Sequence, residues 1–205
     1  MENNQQWTPL HGLVLAGGDS SRMGFDKGLI PYHGMPHREY LLQILSRFTV
    51  QSFLSCRPGQ IIDGDLPVIE DSFTDLGPLG GLLSAFKFDE TCAWLVVACD
   101  FPLLDESAIL ELTEVRNPEV YATAFYDARS ALPEPWITIV EPKLYPVLLE
   151  NIARGKTSLR GALQDYPISL VTPTRPEILL NVNSRQDFEE IISEFPQLPY
   201  PPIWR

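Results

Sequence analysis

The stretch LVLAGGDSSRMGFDKGLIPYHG, residues 13–34, runs from an apolar segment into a loop that holds adjacent glycines, small polar residues, one arginine and one lysine. Gly17 and Gly18 carry no Cβ, so the backbone there turns sharply and presents N–H groups to anionic oxygens at close range. Arg22 adds a planar fork for phosphate oxygens, and Lys27 adds a point charge that can follow them. The combination suits a polyphosphate. A glycine turn with two solvated cations is the plainer alternative, which the glycines alone leave open. Two rival phosphate motifs fail. No G-x-G-x-x-G follows the apolar run, and RGKTS at 154–158 imitates a P-loop but has Glu150 where the first glycine belongs.

A loop of this kind works only if an element aims it. Apolar runs of strand length alternate with amphipathic helical stretches, the pattern of strand-helix units feeding a mostly parallel sheet. Strands are expected at 11–16, 51–56, 67–71, 93–99, 120–125, 136–140, 168–171 and 178–182. Helices are expected at 39–48, after the glycines of DLGPLGGLLSAFKF, and at 106–115, 143–153, 158–164 and 185–194. The run AWLVVAC is the most continuous and reads as a central strand buried on both faces. The fold class is therefore α/β: a three-layer, Rossmann-like, mostly parallel sheet with helices on both faces. In such a sheet the loop after the first strand lies where ligands bind.

Composition sets the bounds. A chain of 205 residues, 44% hydrophobic and 20% charged, is long enough for one core and short for two, so a single domain is expected over 1–205. Residues 1–9 read as an N-terminal tail, and 196–205, with four of the 19 prolines, as an extended C-terminal tail folded against the domain. The net charge of -12 disfavours nucleic acid and anionic membrane surfaces, so an anionic substrate needs a local cation cluster. No export signal and no membrane-length apolar run is present, which points to the cytosol. Cys56, Cys92 and Cys99 form no C-x-x-C pair and read as small buried hydrophobes.

At LAGGDSSRMGFDK the chain resembles the nucleotidyltransferases whose signature is L-A-G-G-x-S-x-R-M-G-x-D-K, and within them the molybdenum cofactor guanylyltransferase family. IEDSFTDLGPLGGLLSAF (69–86), VVACDFPLL (96–104) and LNVNSRQDF (180–188) extend the resemblance in the family's order. It implies transfer of GMP from GTP to the terminal phosphate of molybdopterin, with Mg2+ required and pyrophosphate released. The implied partners are GTP, molybdopterin and proteins that deliver and receive the cofactor. Residue by residue, it implies that Leu15, Ala16, Gly17 and Gly18 hold the nucleotide and that Arg22 and Lys27 meet the triphosphate. Asp71 is implied as a nucleotide contact suited to the guanine or ribose edge, with a turn-capping aspartate as the alternative. Asp100 is implied as the magnesium ligand and, with Arg22 and Lys27, as catalytic; helix capping is its alternative. Asn181 and Asn183 fall near the active site on the acceptor side, or in a turn.

Two departures stand out. Cys56 precedes Arg57 where the family often has asparagine, which weakens one expected nucleotide contact. Glu134-Pro135 replaces His-Pro in the acceptor half, an awkward charge for a phosphorylated acceptor, although Arg154, Lys156 and Arg160 offer positive charge in compensation. The alternatives are a nucleotidyltransferase using CTP or a sugar-phosphate acceptor, and a nucleotide-binding regulator without turnover. LAGG with the DK pair favours the guanylyl type.

Overall fold

In the computed structural model, which describes residues 7–17, 26–196 and 198, the first apolar run forms β1 (Leu10–Leu15) and the longest forms β4 (Ala93–Ala98). They pair in parallel, Leu13 with Val96 and Leu15 with Ala98, at the centre of a seven-stranded sheet. The other strands are β2 (Ser52–Cys56), β3 (Val68–Glu70), β5 (Ala122–Asp127), β6 (Leu132–Val140) and β7 (Ser169–Val171), in the order β3-β2-β1-β4-β6-β5-β7. β6 runs antiparallel to both its neighbours, and every other pairing is parallel.

Among the described residues six α-helices cover the sheet: α1 (His37–Leu45), α2 (Pro78–Phe88), α3 (Glu106–Glu114), α4 (Leu144–Ala153), α5 (Leu159–Asp165) and α6 (Arg185–Glu194). A Cβ built on Gly12 would touch Leu45 of α1, whereas one built on Gly81 of α2 would touch Leu15. Gly12 and Leu15 point to opposite faces of β1, so α1 and α2 lie on opposite sides. α3 packs beside α1, and Phe86 of α2 stacks on Tyr145 of α4 at 5.1 Å between centroids. Side chains such as Leu13, Val14, Trp94, Leu95, Val96 and Phe86 are fully enclosed between these layers. Among the described residues no helix is long and apolar enough to cross a membrane.

The sequence-based expectations hold for fold class and need correction in places. Residues 178–182 are not a strand: Pro176 starts a short 3-10 turn over Pro176–Leu179, and the segment then makes a single ladder-like bond, Val182 N to Asp100 O at 2.8 Å. β6 begins at Leu132 rather than at 136, passing through Pro133 and Pro135. Prolines fit there because that half of β6 pairs with β5 alone, through Tyr126 and Pro133. β3 is shorter than expected, and α1 starts at His37, just after Pro36. At the ends of the chain, Pro9 O accepts from Ala93 N, while most of the C-terminal tail lies outside the described residues. Leu198 is described, and it closes a small second cluster with Ile30, Tyr32, Leu103, Val182, Phe188 and Ile191.

Candidate active site

Strand order reverses between β1 and β4, the point at which open α/β sheets leave a crevice at the carboxyl ends of their strands. A cavity of ≈ 680 Å³ opens there. Leu15, Ala16 and Gly17 reach it from β1, Ala98, Cys99 and Asp100 from β4, Asp71 from the exit of β3, and Gly77 and Pro78 from the start of α2.

Lys27 enters this cavity from a short 3-10 turn, Lys27–Leu29. Asp26 caps the turn by accepting from Gly28 N at 2.8 Å, and the buried Arg38 reaches the same carboxylate at 3.5 Å. Lys27 Nζ donates to Asn183 Oδ1 at 2.9 Å. Asn183 is itself held, because its backbone N–H and that of Ser184 both donate to Asp187 in the capping box of α6. The neighbouring Val182 is anchored to Asp100 through their backbones.

Asp100 leaves β4 on a turn pinned by two imidazoles: His37 Nε2 donates to Phe101 O at 3.2 Å, and His33 Nε2 to Pro102 O at 3.1 Å. Burial holds the Asp100 carboxyl above the usual carboxylate range, and Lys27 opposes that shift. Its Oδ1 is enclosed and has no hydrogen-bond partner among the described residues. Burying such an oxygen unsatisfied is costly. A hard divalent cation held by one carboxylate and substrate phosphates would satisfy it, so this donor set fits magnesium.

On the opposite wall Asp71 accepts from Ser55 Oγ at 2.7 Å. Burial raises its carboxyl, the Ser55 hydrogen bond lowers it, and Glu70 raises it further. A Cβ on Gly17 would come within 3.2 Å of Asp71 Oδ2 and 3.3 Å of Arg57 N, so a side chain there would crowd the floor of the cavity.

The far side is acidic. Extending the antiparallel register beyond Val97 and Ile137 brings Glu134 level with Asp100. Glu134 is buried; Trp136 N donates to one of its oxygens at 3.0 Å, and Arg160 approaches the other at 3.5 Å. Burial raises its carboxyl, the Trp136 N–H and Arg160 oppose this, and Asp100 and Asp127 add to it. Of the three cations weighed as compensation, Arg154 pairs with Glu150 and Lys156 with Asp165 on exposed surface, and only Arg160 turns toward Glu134.

The structure thus brings Leu15, Ala16, Gly17, Lys27, Asp71 and Asp100 to one cavity. Gly18 and Arg22 lie outside the described residues. Asn183 reaches the site through Lys27, while Asn181 is exposed and neither asparagine lines the cavity. Sequence reasoning missed Ser55, Asp26 and the histidine pair. The Asp before Lys27 carries a capping signal for the short turn; the other three act on residues far along the chain and leave no local signature.

Residues 12–170 match the model of the MobA-like NTP transferase domain family. The molybdenum cofactor guanylyltransferase of Xanthomonas euvesicatoria is 31% identical over 96% of this chain and 100% of its own length. The molybdenum cofactor biosynthesis bifunctional protein of Synechocystis is 32% identical over 90% of this chain, which spans only 54% of that longer relative. Among solved structures, molybdopterin-guanine dinucleotide biosynthesis protein A from Archaeoglobus fulgidus superposes with a TM-score of 0.72 at 20% identity, covering 90% of this chain and 99% of that one.

Proposed function

Because the chain belongs to the MobA-like NTP transferase domain family, we propose that it transfers GMP from GTP to the terminal phosphate of molybdopterin, releasing pyrophosphate, in the cytosol. The observation that carries this reading is the enclosed Asp100 oxygen, facing Lys27 at the strand-order switch. A phosphate monoester has a second pKa of about 6, so at neutral pH it is mostly dianionic and needs no general base. Its oxygen attacks the α-phosphorus of GTP, a new P–O bond forms, and the bond to the β-bridging oxygen breaks as pyrophosphate leaves in line.

What the protein must supply is positioning and charge. The backbone at Ala16 and Gly17 cradles the nucleotide, and Lys27, oriented by Asn183, meets the triphosphate. The sequence motif assigns the same two roles to Gly18 and Arg22, which lie outside the described residues. Asp100 would hold magnesium together with phosphate oxygens, and the ion would supply charge neutralisation between two anionic reactants. Asp71 accepts from the nucleoside. Arg160, drawn in by Glu134, places positive charge on the acceptor side.

Turnover with molybdopterin is to be measured with GTP, CTP, UTP and ATP in turn, each with magnesium, by pyrophosphate release. GTP is expected to be used at least tenfold faster than the others. Equal use of CTP would move the assignment to the cytidylyl enzymes, and binding without turnover would make the chain a regulator.

A further inference from the structure

Ser55 is the polar side chain that β2 aims at the cavity. It is 1% exposed and sits in register between Leu15 of β1 and Ile69 of β3. Its rotamer is boxed in by α2: a Cβ on Gly81 would fall 2.3 Å from Ser55 Oγ and 3.2 Å from its Cβ. The helix closes that side of the hydroxyl, which donates to Asp71 Oδ1 at 2.7 Å. Asp71 is fixed a second time, by its backbone N–H to Cys56 O at 2.8 Å. Its other oxygen, Oδ2, lies 3.2 Å from where a Cβ on Gly17 would stand, in the cavity that both residues line. The next residue on the strand, Cys56, is buried and its thiol is a weak donor.

Guanine carries N–H donors on adjacent positions of one edge, and an ionised carboxylate with a fixed orientation accepts them well. We infer that Ser55 is a positioning residue that sets the rotation of the Asp71 carboxylate for the N–H edge of guanine; this rests on the GTP reading above. The hydroxyl does so by holding one lone pair of Oδ1, which fixes the carboxylate plane and leaves Oδ2 and the second lone pair of Oδ1 for the base. It also favours the ionised, accepting form of a carboxyl that burial and Glu70 push toward protonation. Among the described residues, Cys56 also interacts with Asp71, Arg57 lies with Asp71 against Gly17, and Asp75 lines the same cavity before α2.

The test measures GTP binding by calorimetry and steady-state kinetics from pH 5 to 8, with magnesium, in the parent, Ser55→Ala, Asp71→Asn and the double variant, with thermal melting alongside. Ser55→Ala is expected to weaken GTP about tenfold, in KM rather than kcat, and to move the acid limb of GTP affinity to higher pH. In the Asp71→Asn background the same change is expected to add nothing. An unchanged affinity, an unmoved acid limb, or additive losses in the double variant would overturn the inference while leaving the GTP reading intact. A parent that binds CTP as well as GTP overturns that reading and this inference together. If Ser55→Ala fails to fold, the pH limb and GTP affinity of Ser55→Cys, a poorer donor and slightly bulkier, decide the same question in the same directions once its melting temperature shows that it folds.

Discussion

Lys27 Nζ and Asn183 Oδ1 meet at 2.9 Å although 156 positions of sequence separate them. The bond ties the loop after β1 to the segment that Val182 anchors on the backbone of Asp100, so the lysine proposed to meet phosphate is held from the far half of the chain.

Lys27→Ala is expected to cost GTP turnover about a hundredfold, and Asn183→Ala about tenfold, because the first removes the charge and the second only its orientation. Arg22→Ala is expected to fall between them. Melting temperatures should stay near the parent's. Turnover within twofold of the parent in both Lys27→Ala and Arg22→Ala would remove the loop cations from the assignment.

Asp100→Asn should abolish most transfer while leaving the protein as stable as the parent, or more so, at neutral pH. Burial raises the Asp100 carboxyl in the folded state, so its ionisation costs stability as pH climbs from the unfolded value through the raised one. The amide escapes that cost. Magnesium should raise the melting temperature of the parent with nucleotide and not that of the variant, since a ligand of the folded state stabilises in proportion to ln(1 + [L]/Kd). An equal magnesium shift in both proteins would remove Asp100 from the metal site.

Glu134→Gln should lower the KM for the phosphorylated acceptor several-fold and leave that for GTP unchanged. The amide keeps the bond from Trp136 N, removes a negative charge level with Asp100, and frees Arg160 for the incoming phosphate. In the parent, acceptor binding should improve as falling pH protonates Glu134, until the acceptor phosphate itself gains a proton. The variant should lose that part of the profile. The comparison is KM for acceptor against pH in the two proteins.

Gly80→Ala reverses the usual helix rule. Alanine normally gains up to about 1 kcal/mol over glycine inside a helix. Here the added Cβ would stand 2.2 Å from the carbonyl oxygen of Phe73, a backbone atom that cannot swing away. A loss of about 1–3 kcal/mol is expected from the forced shift, read by denaturant unfolding. The neighbouring turn before α2 borders the cavity, so GTP affinity should fall as well.

His37 gives a second pH signature. It is completely enclosed, burial pushes its imidazole down to about 3, and its Nε2 holds Phe101 O beside Asp100. A group depressed in this way contributes stability that is lost as pH falls from the ordinary value of 6.5 toward the folded one. The melting temperature should decline through that window. His37→Phe, which has no proton to gain, should flatten part of the decline.

Much of this was legible in the residues themselves. The run at 93–98 announces a doubly covered strand by its unbroken apolarity, and the Gly17 loop announces, by composition and position, the cavity that it lines. Where the reading failed, the deciding term was tertiary. Residues 178–182 are as apolar as a strand, but Ile178 and Leu179 bury themselves from a 3-10 turn, and apolarity alone does not tell the two apart. The strand expected at 136–140 in fact starts at Leu132 and tolerates Pro133 and Pro135 because one side lacks a partner at that point. Ser55 is one serine among short strand residues, and its meaning resides in Asp71, 16 positions on, and in Gly81 on another element.

The reversed direction of β6 has a consequence for how the protein acquires its shape. β5 and β6 close on each other as a local antiparallel ribbon, with few residues between them, whereas β1 must wait for β4 across some eighty positions. Local ribbons form in about 1–10 μs, and distant parallel pairing is far slower because the intervening chain must first be gathered. The ribbon is therefore expected to form before the central pair, and the crevice between β1 and β4 only once that pair has closed.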